Sequence, residues 1–338
     1  MNQPTQQRGW AGLRTVLGWL ALAAVAPDLA AQSPGGGSSV LYGTGFEVSE
    51  GYTPADQFSD LRGQLGWLGE GSGGNGLLTN FFDGWGQQAY IGFTPPAAKD
   101  DLLNLWRPIT PPSIDPASPV LRFSVLMQVV DSTNGLYDDF RWSVYNTNSE
   151  RLFTLDFDNS RAEIFYALDE QPPVFHSTGF KFSNGDIYDL SILMNLARND
   201  WIALMNGRVI VDAQPMTTTQ ASLSISDVDA VWVIRGRTPS GDSQPGNNYM
   251  LWDDYLITSE SESSIPPILE TVGRHPDGTF ELVVHGERGL KYSVDVTSDM
   301  EGWTSLGTNV LTTGALSFPD PSASGYDFSF YRARQVSP

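Results

Sequence analysis

The chain has 338 residues, no cysteine, and 19 basic against 39 acidic residues, which gives a net charge of −20. Without cysteine, thiol catalysis, thiolate metal sites and disulfides are excluded, so the fold must be stabilised by burial of apolar side chains. The negative charge repels phosphate backbones and anionic membranes, so we expect neither nucleic acid nor lipid surfaces as partners.

The first 31 residues have the pattern of a signal peptide. Arg8 and Arg14 lie at the start, Thr15 to Ala26 is a twelve-residue apolar segment, and small residues follow up to Ala31. A bilayer span needs about 20 apolar residues. We therefore expect cleavage after Ala31 and an exported protein that is secreted, periplasmic or at the cell surface, without membrane insertion after cleavage. An uncleaved anchor is the alternative.

Two segments divide the rest of the chain by composition. Residues 32–40 are rich in glycine and serine, and residues 259–266 pass from serine and glutamate into a Pro-Pro pair. We predict a flexible linker at each place. A large domain then covers 41–258 and a small module covers 267–338.

Both parts have the period of β-strands. Between Leu121 and Leu168, apolar side chains such as Phe123, Phe153 and Ile164 alternate with polar ones over four successive segments. This alternation is typical of antiparallel sheets with one buried face. Asn206–Gly207 between two apolar runs predicts a tight hairpin. No segment has a convincing helical stripe, so we predict an all-β chain, with a two-sheet antiparallel jelly-roll sandwich as its large domain.

Four segments follow one another along the chain in an order that matters for the comparison below: GTGFEVSEGY at 43–52, LRGQLGW at 61–67, GQQAYIGF at 86–93 and the closing WDDYLIT at 252–258. With the meander between them, residues 41–258 resemble the concanavalin A-like lectin/glucanase superfamily in its laminin-G-like bacterial exported form. The resemblance implies a jelly roll of two curved antiparallel sheets. It leaves the function open, because members include carbohydrate-binding modules, glycosidases, adhesion domains and spacers.

The small module has its own pattern, which consists of LKYSVDVTSDMEGWTSLGTNV at 290–310, FPDP at 318–321 and FSFYRARQ at 328–335. It resembles a short Ig/fibronectin-like β-sandwich module found at the C-terminus of bacterial exported proteins. That module has no generally assigned function, so the resemblance implies a fold only.

Asp253 and Asp254 are neighbours in the closing strand of the large domain. Neighbouring side chains in a regular strand point to opposite faces, so we expect the two carboxylates on opposite sides of the sheet and not as a catalytic pair. Each shares its face with apolar residues and needs a counter-charge, which calcium can supply. The resemblance implies a structural calcium ion held by Glu47 and Asp253 or Asp254. The alternative is that the strand ends there and water solvates both carboxylates.

The E-x-D-x-E arrangement of the superfamily's glucanases is absent, and we predict no catalytic residue. The nearest approach to that arrangement is Asp156 and Asp158, which could share a face with Glu163, although aspartates before a turn are commonly turn formers.

Sugar rings have polar edges and an apolar C–H face, so a polar strand face and an exposed aromatic ring together suit them. The predicted carbohydrate-binding residues are Arg122, Gln128, Arg141, Tyr145, Asp156, Glu163 and the loop residue Trp85. The alternative is a merely solvated sheet surface.

These observations predict an exported, non-catalytic protein that binds a polysaccharide or cell-surface glycan, or that interacts with the cell surface or matrix. The first alternative is a polysaccharide-degrading enzyme, a glycoside hydrolase or lyase, on the same scaffold. The second is a structural spacer without a small ligand. Apart from calcium, we expect no cofactor.

Overall fold

The computed structural model describes residues 38–97, 99–110, 115–261, 267–286, 289–325 and 329–336. The predicted signal peptide, most of the first linker and residues 262–266 of the second linker lie outside these ranges. The described residues contain strands and short 3₁₀ turns but no α-helix, and every strand pair is antiparallel. The predicted all-β fold class is confirmed. No described residue belongs to a helix that could cross a membrane.

Eight strands form the first sheet: β1 (Ser39–Thr44), β3 (Asn75–Thr79), β4 (Gln87–Gly92), β6 (Val120–Val130), β11 (Tyr188–Asn195), β12 (Asp200–Met205), β13 (Arg208–Pro215) and β15 (Tyr249–Glu260). Their order is β13-β12-β11-β6-β15-β4-β3, and β1 also pairs with β15. The β12–β13 turn consists of Asn206 and Gly207, both with positive φ, as in the tight hairpin that the sequence predicts. Short 3₁₀ turns lie at Val48–Glu50 and Ala55–Gln57.

Seven strands form the second sheet: β2 (Leu68–Gly71), β5 (Leu102–Trp106), β7 (Asp139–Asn146), β8 (Arg151–Asp158), β9 (Glu163–Ala167), β10 (His176–Lys181) and β14 (Ile225–Val233). Their order is β10-β9-β8-β7-β14-β5-β2. The chain passes from the first sheet to the second between β6 and β7, and this crossing decides where the predicted binding residues lie.

The core lies between these two sheets. Phe123, Phe153 and Ile164 are completely buried in it, as their alternation predicts. Phe123 of β6 packs against Trp142 of β7 with ring centroids 5.1 Å apart. Full burial of one such side chain contributes about 1.5–3 kcal/mol to folding. The two sheets are therefore the layers of one sandwich, with their polar side chains on the two outer faces.

The described residues from 267 onward form two three-stranded sheets. The first contains β16 (Ile268–Arg274), β17 (Phe280–His285) and β20 (Ala315–Asp320), and the second contains β18 (Lys291–Thr297), β19 (Thr304–Val310) and β21 (Phe330–Val336). A short 3₁₀ turn lies at Ala323–Gly325. Leu282, Val294 and Phe318 belong to a small core of their own. These strands therefore surround a hydrophobic core separate from that of the sandwich, and the boundary of a small module at residue 267 stays a prediction.

Candidate functional site

The predicted carbohydrate-binding residues lie in three places. Four point outward from the seven-stranded sheet: Arg141, Tyr145, Asp156 and Glu163. Two point outward from the eight-stranded sheet: Arg122 and Gln128. Trp85 lies in the β3–β4 loop and is 49% exposed. The prediction of one polar face is therefore wrong. Alternation separates inward from outward side chains, but it does not reveal that β6 and β7 belong to different sheets.

On the eight-stranded sheet, the outward residues make contacts within the protein. The guanidinium of Arg122 donates from two nitrogens to the carboxylate of Glu260, at 2.8 and 3.1 Å. The amide of Gln128 donates to the carbonyl of Gly185. Arg122 thus joins β6 to the end of β15. These contacts give both residues a structural role at this surface.

On the seven-stranded sheet, Arg141 of β7 and Asp156 of β8 are cross-strand partners. The Nε of Arg141 donates to Oδ1 of Asp156 at 2.5 Å, and the Asp156 side chain is only 3% exposed. The guanidinium also lies 4.9 Å from the centroid of the Phe175 ring. Its other N–H donors make no hydrogen bond to the described residues. Arg141 is therefore held in position by one nitrogen while the rest of its donors can serve a ligand.

A cavity of about 620 Å³ lies beside this ion pair, and its walls include Arg141, Tyr145, Glu150, Arg151, Asp169 and Thr219. The volume is in the range of about 300–1,000 Å³ that small-ligand pockets occupy. Its walls contain both hydrogen-bond donors, such as Arg141 and Arg151, and acceptors, such as Glu150. The cavity can therefore accommodate a ligand with many hydroxyl groups.

The part of the cavity wall around Asp169 is held by hydrogen bonds. The carboxylate of Asp169 accepts from the backbone N–H groups of Thr218 and Thr219, at 2.9 and 3.0 Å, and from threonine hydroxyls. Burial alone would raise the pKa of Asp169, but bonds from the Thr217, Thr218 and Thr219 hydroxyls outweigh burial and lower it. Arg151 donates to the carbonyl of Leu168 at 2.7 Å. Such a wall needs little reorganisation on binding.

Asp139 occupies the next position along the same face. Its side chain is 1% exposed and forms an ion pair with Arg235. Burial, and then the charge of Asp156, raise the pKa of Asp139 to about 7 against the opposing effect of Arg235. Burial also raises the pKa of Asp156. A smaller cavity of about 160 Å³ lies here, with Asp158 in its wall.

Asp227 and Asp229 of β14 are polar residues that the sequence analysis missed. Asp227 pairs with Tyr145 and Asp229 with Ser143, so both carboxyl groups adjoin the candidate face. Asp229 is 3% exposed and accepts a hydrogen bond of 2.7 Å from Asn104. Burial, and then the charge of Asp227, raises its pKa well above the ordinary value. The sequence signal for this pair is the spacing of Asp227 and Asp229, because residues two apart in a strand share a face.

The predicted calcium ligands do come together. A β-carbon at Gly45 would lie 3.8 Å from an oxygen of Asp253, 3.8 Å from an oxygen of Asp254 and 4.0 Å from Cγ of Glu47. The prediction that the two aspartates lie on opposite faces is wrong. A β-bulge interrupts the β15–β6 register after Asp253, and Asp254 has a φ of 49°. The extra residue reverses the alternation, so Trp252 and Tyr255 both enter the core.

Negative charge is concentrated at this cluster. Burial, together with the smaller effects of the Asp254 and Glu47 charges, raises the pKa of Asp253 to about 7. Among the described residues no Lys, Arg or His forms an ion pair with these carboxylates. Their hard oxygens suit calcium. However, no three His, Asp or Glu side chains in the described ranges are already arranged as a metal site. Calcium binding therefore stays a prediction.

No family model matches the chain, and no curated protein matches its sequence. Similar solved structures include a basic winged bean lectin with Tn-antigen (9% identity, TM-score 0.41, 67% of this chain and 99% of that one). A carbohydrate esterase from Shiga toxin-encoding bacteriophage phi24B is also similar (13% identity, TM-score 0.42, 67% and 100%). So is an endo-β-1,4-glucuronan lyase from the fungus Trichoderma reesei (9% identity, TM-score 0.41, 67% and 98%).

A sialidase is similar over 61% of this chain, with 12% identity and a TM-score of 0.41, but the chain spans only 18% of that longer protein. These proteins are lectins and carbohydrate-active enzymes. At such TM-scores the likenesses carry no argument about the ligand or activity of this chain. The two-sheet sandwich stands on its own strand pairings, and membership of the concanavalin A-like superfamily stays a prediction.

Proposed function

We propose that this chain is a carbohydrate-binding protein and that it holds a neutral saccharide in the cavity beside Arg141 and Tyr145. The observation that carries the proposal is the guanidinium of Arg141, which Asp156 and Phe175 fix in place while its other donors line the cavity. Fixed charged donors that share a cavity with carboxylates and hydroxyls are suited to the edge hydroxyls of a sugar ring.

A neutral saccharide fits this cavity better than an acidic one. Arg141 and Arg151 are balanced by Glu150 and Asp169 in the same walls. The chain as a whole carries a net charge of −20, which repels anionic ligands. The site therefore has no surplus of positive charge for a uronate or sialate carboxylate.

Co-sedimentation with insoluble cellulose, chitin and xylan tests the proposal. We expect retention of the wild type on at least one of them and loss of most of this retention in Arg141→Ala. Arg122→Ala is the matched control, because Arg122 is also a partly exposed arginine in an ion pair but lies on the other sheet. Equal loss in both variants, or none in Arg141→Ala, contradicts the proposal.

One observation favours an enzyme as the second candidate. Asp139, whose pKa is raised to about 7, adjoins Asp156 and the small cavity that Asp158 lines. A buried carboxyl group that keeps its proton near neutral pH, beside a small cavity, is suited to act as a general acid. An enzyme would release reducing or unsaturated ends from the retained polysaccharide and would lose this activity in Asp156→Asn. Retention without release supports the binding protein.

The cellular setting belongs to the same proposal. We infer that residues 1–31 direct export and are removed, so that the mature protein meets glycans outside the cytoplasm. Mass spectrometry of the secreted chain tests this inference, and the expected first residue is Gln32. Recovery of a chain that retains residues 1–31 would support the uncleaved anchor instead.

A further inference from the structure

An aromatic groove lies on the outer face of the eight-stranded sheet, beside its edge strand β3. It has a volume of about 430 Å³, and its aromatic walls are Phe58, Phe81, Tyr90, Phe93 and Tyr249. None of these residues is among the predicted carbohydrate-binding residues. The groove is on the opposite sheet from Arg141, so it is a separate site.

The three phenylalanine rings are exposed, and two of them have a defined geometry relative to Tyr249. Phe81 and Phe93 both meet Tyr249 nearly at right angles, with ring centroids 6.0 and 5.7 Å away and interplanar angles of 89° and 82°. Phe58 is 91% exposed, Phe93 54% and Phe81 44%. Single exposed apolar side chains are common, but a cluster of large ones around a concavity indicates a binding surface.

The backbone presents these rings at a conformational cost. Phe58 has a φ of 48° and Phe93 a φ of 67°, which bulky side chains rarely adopt. The N–H of Phe93 is fixed by the carbonyl of Asn248 at 3.1 Å. Such backbone strain is commonly found at ligand-binding sites. A β-carbon on Gly76 would lie 2.8 Å from the carbonyl oxygen of Ser59, so glycine at this position lets the Ser59 backbone pack closely against β3 in the wall of the groove.

Polar groups stand at the edge of the groove. The carboxylate of Asp60 is held by Arg62, with a nitrogen–oxygen distance of 2.7 Å. Burial, and then the nearby charge of Asp60, raise the pKa of the Tyr90 hydroxyl, which, like any tyrosine hydroxyl at neutral pH, is protonated and can donate a hydrogen bond. The groove therefore combines apolar ring faces with a fixed acceptor and a donor.

We propose that this groove is a second glycan site, in which the C–H face of a neutral pyranose stacks on the exposed ring of Phe81 and contacts the Phe58, Phe93 and Tyr249 rings around it. The ring hydroxyls then meet Asp60 and Tyr90. A sugar has both an apolar C–H face and polar hydroxyl edges, whereas a purely apolar ligand would offer Asp60 no hydrogen bond. An anionic ligand would approach a carboxylate in a strongly acidic protein. The proposal does not depend on the site at Arg141.

Calorimetric titration with cellohexaose, laminarihexaose and chitohexaose tests this groove. The decisive variant is Phe58→Ala combined with Phe81→Ala, whose side chains are exposed enough to leave folding unchanged. We expect at least one hexasaccharide to bind the wild type and to bind this variant at least tenfold more weakly. Tyr137→Ala is the control, since Tyr137 is 40% exposed in the β6–β7 connection, and it should bind as the wild type does.

The two proposed sites are distinguished by Arg141→Ala in the same titration. If the groove binds, Arg141→Ala keeps the binding that the Phe58/Phe81 variant loses, whether or not the Arg141 site also exists. Absence of heat with all three hexasaccharides, or equal affinity of the groove variant and the wild type, overturns the groove proposal.

Discussion

Single residues on the seven-stranded sheet show how burial sets the charge of the candidate face. Asp229 is almost fully buried, has a carboxyl neighbour in Asp227, and accepts one hydrogen bond from Asn104. Burial and the neighbouring charge both disfavour its ionised form. In the folded protein it keeps a proton at pH values where the unfolded chain has released it.

This difference predicts the effect of Asp229→Asn. Because the folded pKa is raised above the ordinary 3.8, wild-type stability falls as pH rises from about that value toward the folded pKa. One such proton changes the free energy of unfolding by about 1.4 kcal/mol per pH unit. Asparagine has no proton to hold and can still accept from Asn104. Thermal melts should therefore show Asp229→Asn gaining stability over the wild type, more at pH 8 than at pH 5.

The control for this prediction is Asp131→Asn, because Asp131 is exposed in the β6–β7 connection. We expect its melting profile to follow the wild type at both pH values. An Asp229→Asn variant that is less stable than the wild type at pH 8 would show that the carboxyl group is not destabilising there.

Individual strands show how far the sequence predicts this fold. The two-residue alternation of apolar and polar side chains correctly assigned Phe123, Phe153 and Ile164 to the core, because successive side chains of a regular strand point to opposite faces. The same period failed at Asp253–Asp254, where one extra residue in β15 turns both aspartates to the same side. Nothing in the local amino-acid sequence distinguishes a bulge from a regular strand. The bulge is seen only in the pairing register of β15 with β6.

Because the bulge brings Asp253 and Asp254 to the same side as Glu47, we predict that calcium stabilises the fold. If the Glu47, Asp253 and Asp254 carboxylates bind calcium, the wild type should gain about 2.7 kcal/mol when free calcium is 100 times its dissociation constant. Melting in calcium and in excess EDTA measures this gain, and we expect Asp253→Asn to remove most of it. Asp56→Asn, at an exposed position outside the cluster, should keep it. An unchanged wild-type midpoint in EDTA would exclude the calcium site.

At the scale of the whole molecule, His285 connects the small module to the sandwich. In β17 it contacts Glu270 of its own module at 2.9 Å, and its other ring nitrogen lies 3.9 Å from Asp212 of β13. Arg208 of β13 also lies 3.7 Å from Glu270. Burial alone would lower the pKa of His285, but Asp212 and Glu270 outweigh it and raise the pKa.

These contacts predict that the junction weakens at alkaline pH. A histidine whose folded pKa is raised contributes stability below the unfolded value of about 6.5. That contribution is lost as pH rises through the folded pKa. The melting midpoint should therefore fall more steeply between pH 6 and 9 in the wild type than in His285→Gln. His275→Gln is the control, because His275 is half exposed and pairs within the module. Equal slopes in the wild type and His285→Gln would contradict the role of His285.

The central claim, that the face around Arg141 binds a neutral glycan, is tested most directly on a glycan array. The array is probed with the wild type, Arg141→Ala and Arg122→Ala, each with and without calcium. We predict binding of the wild type to neutral glycans, loss of at least one glycan class in Arg141→Ala, and the wild-type pattern in Arg122→Ala. A blank array at high protein concentration, or an unchanged pattern in Arg141→Ala, would contradict the claim, and a blank array would favour a structural spacer.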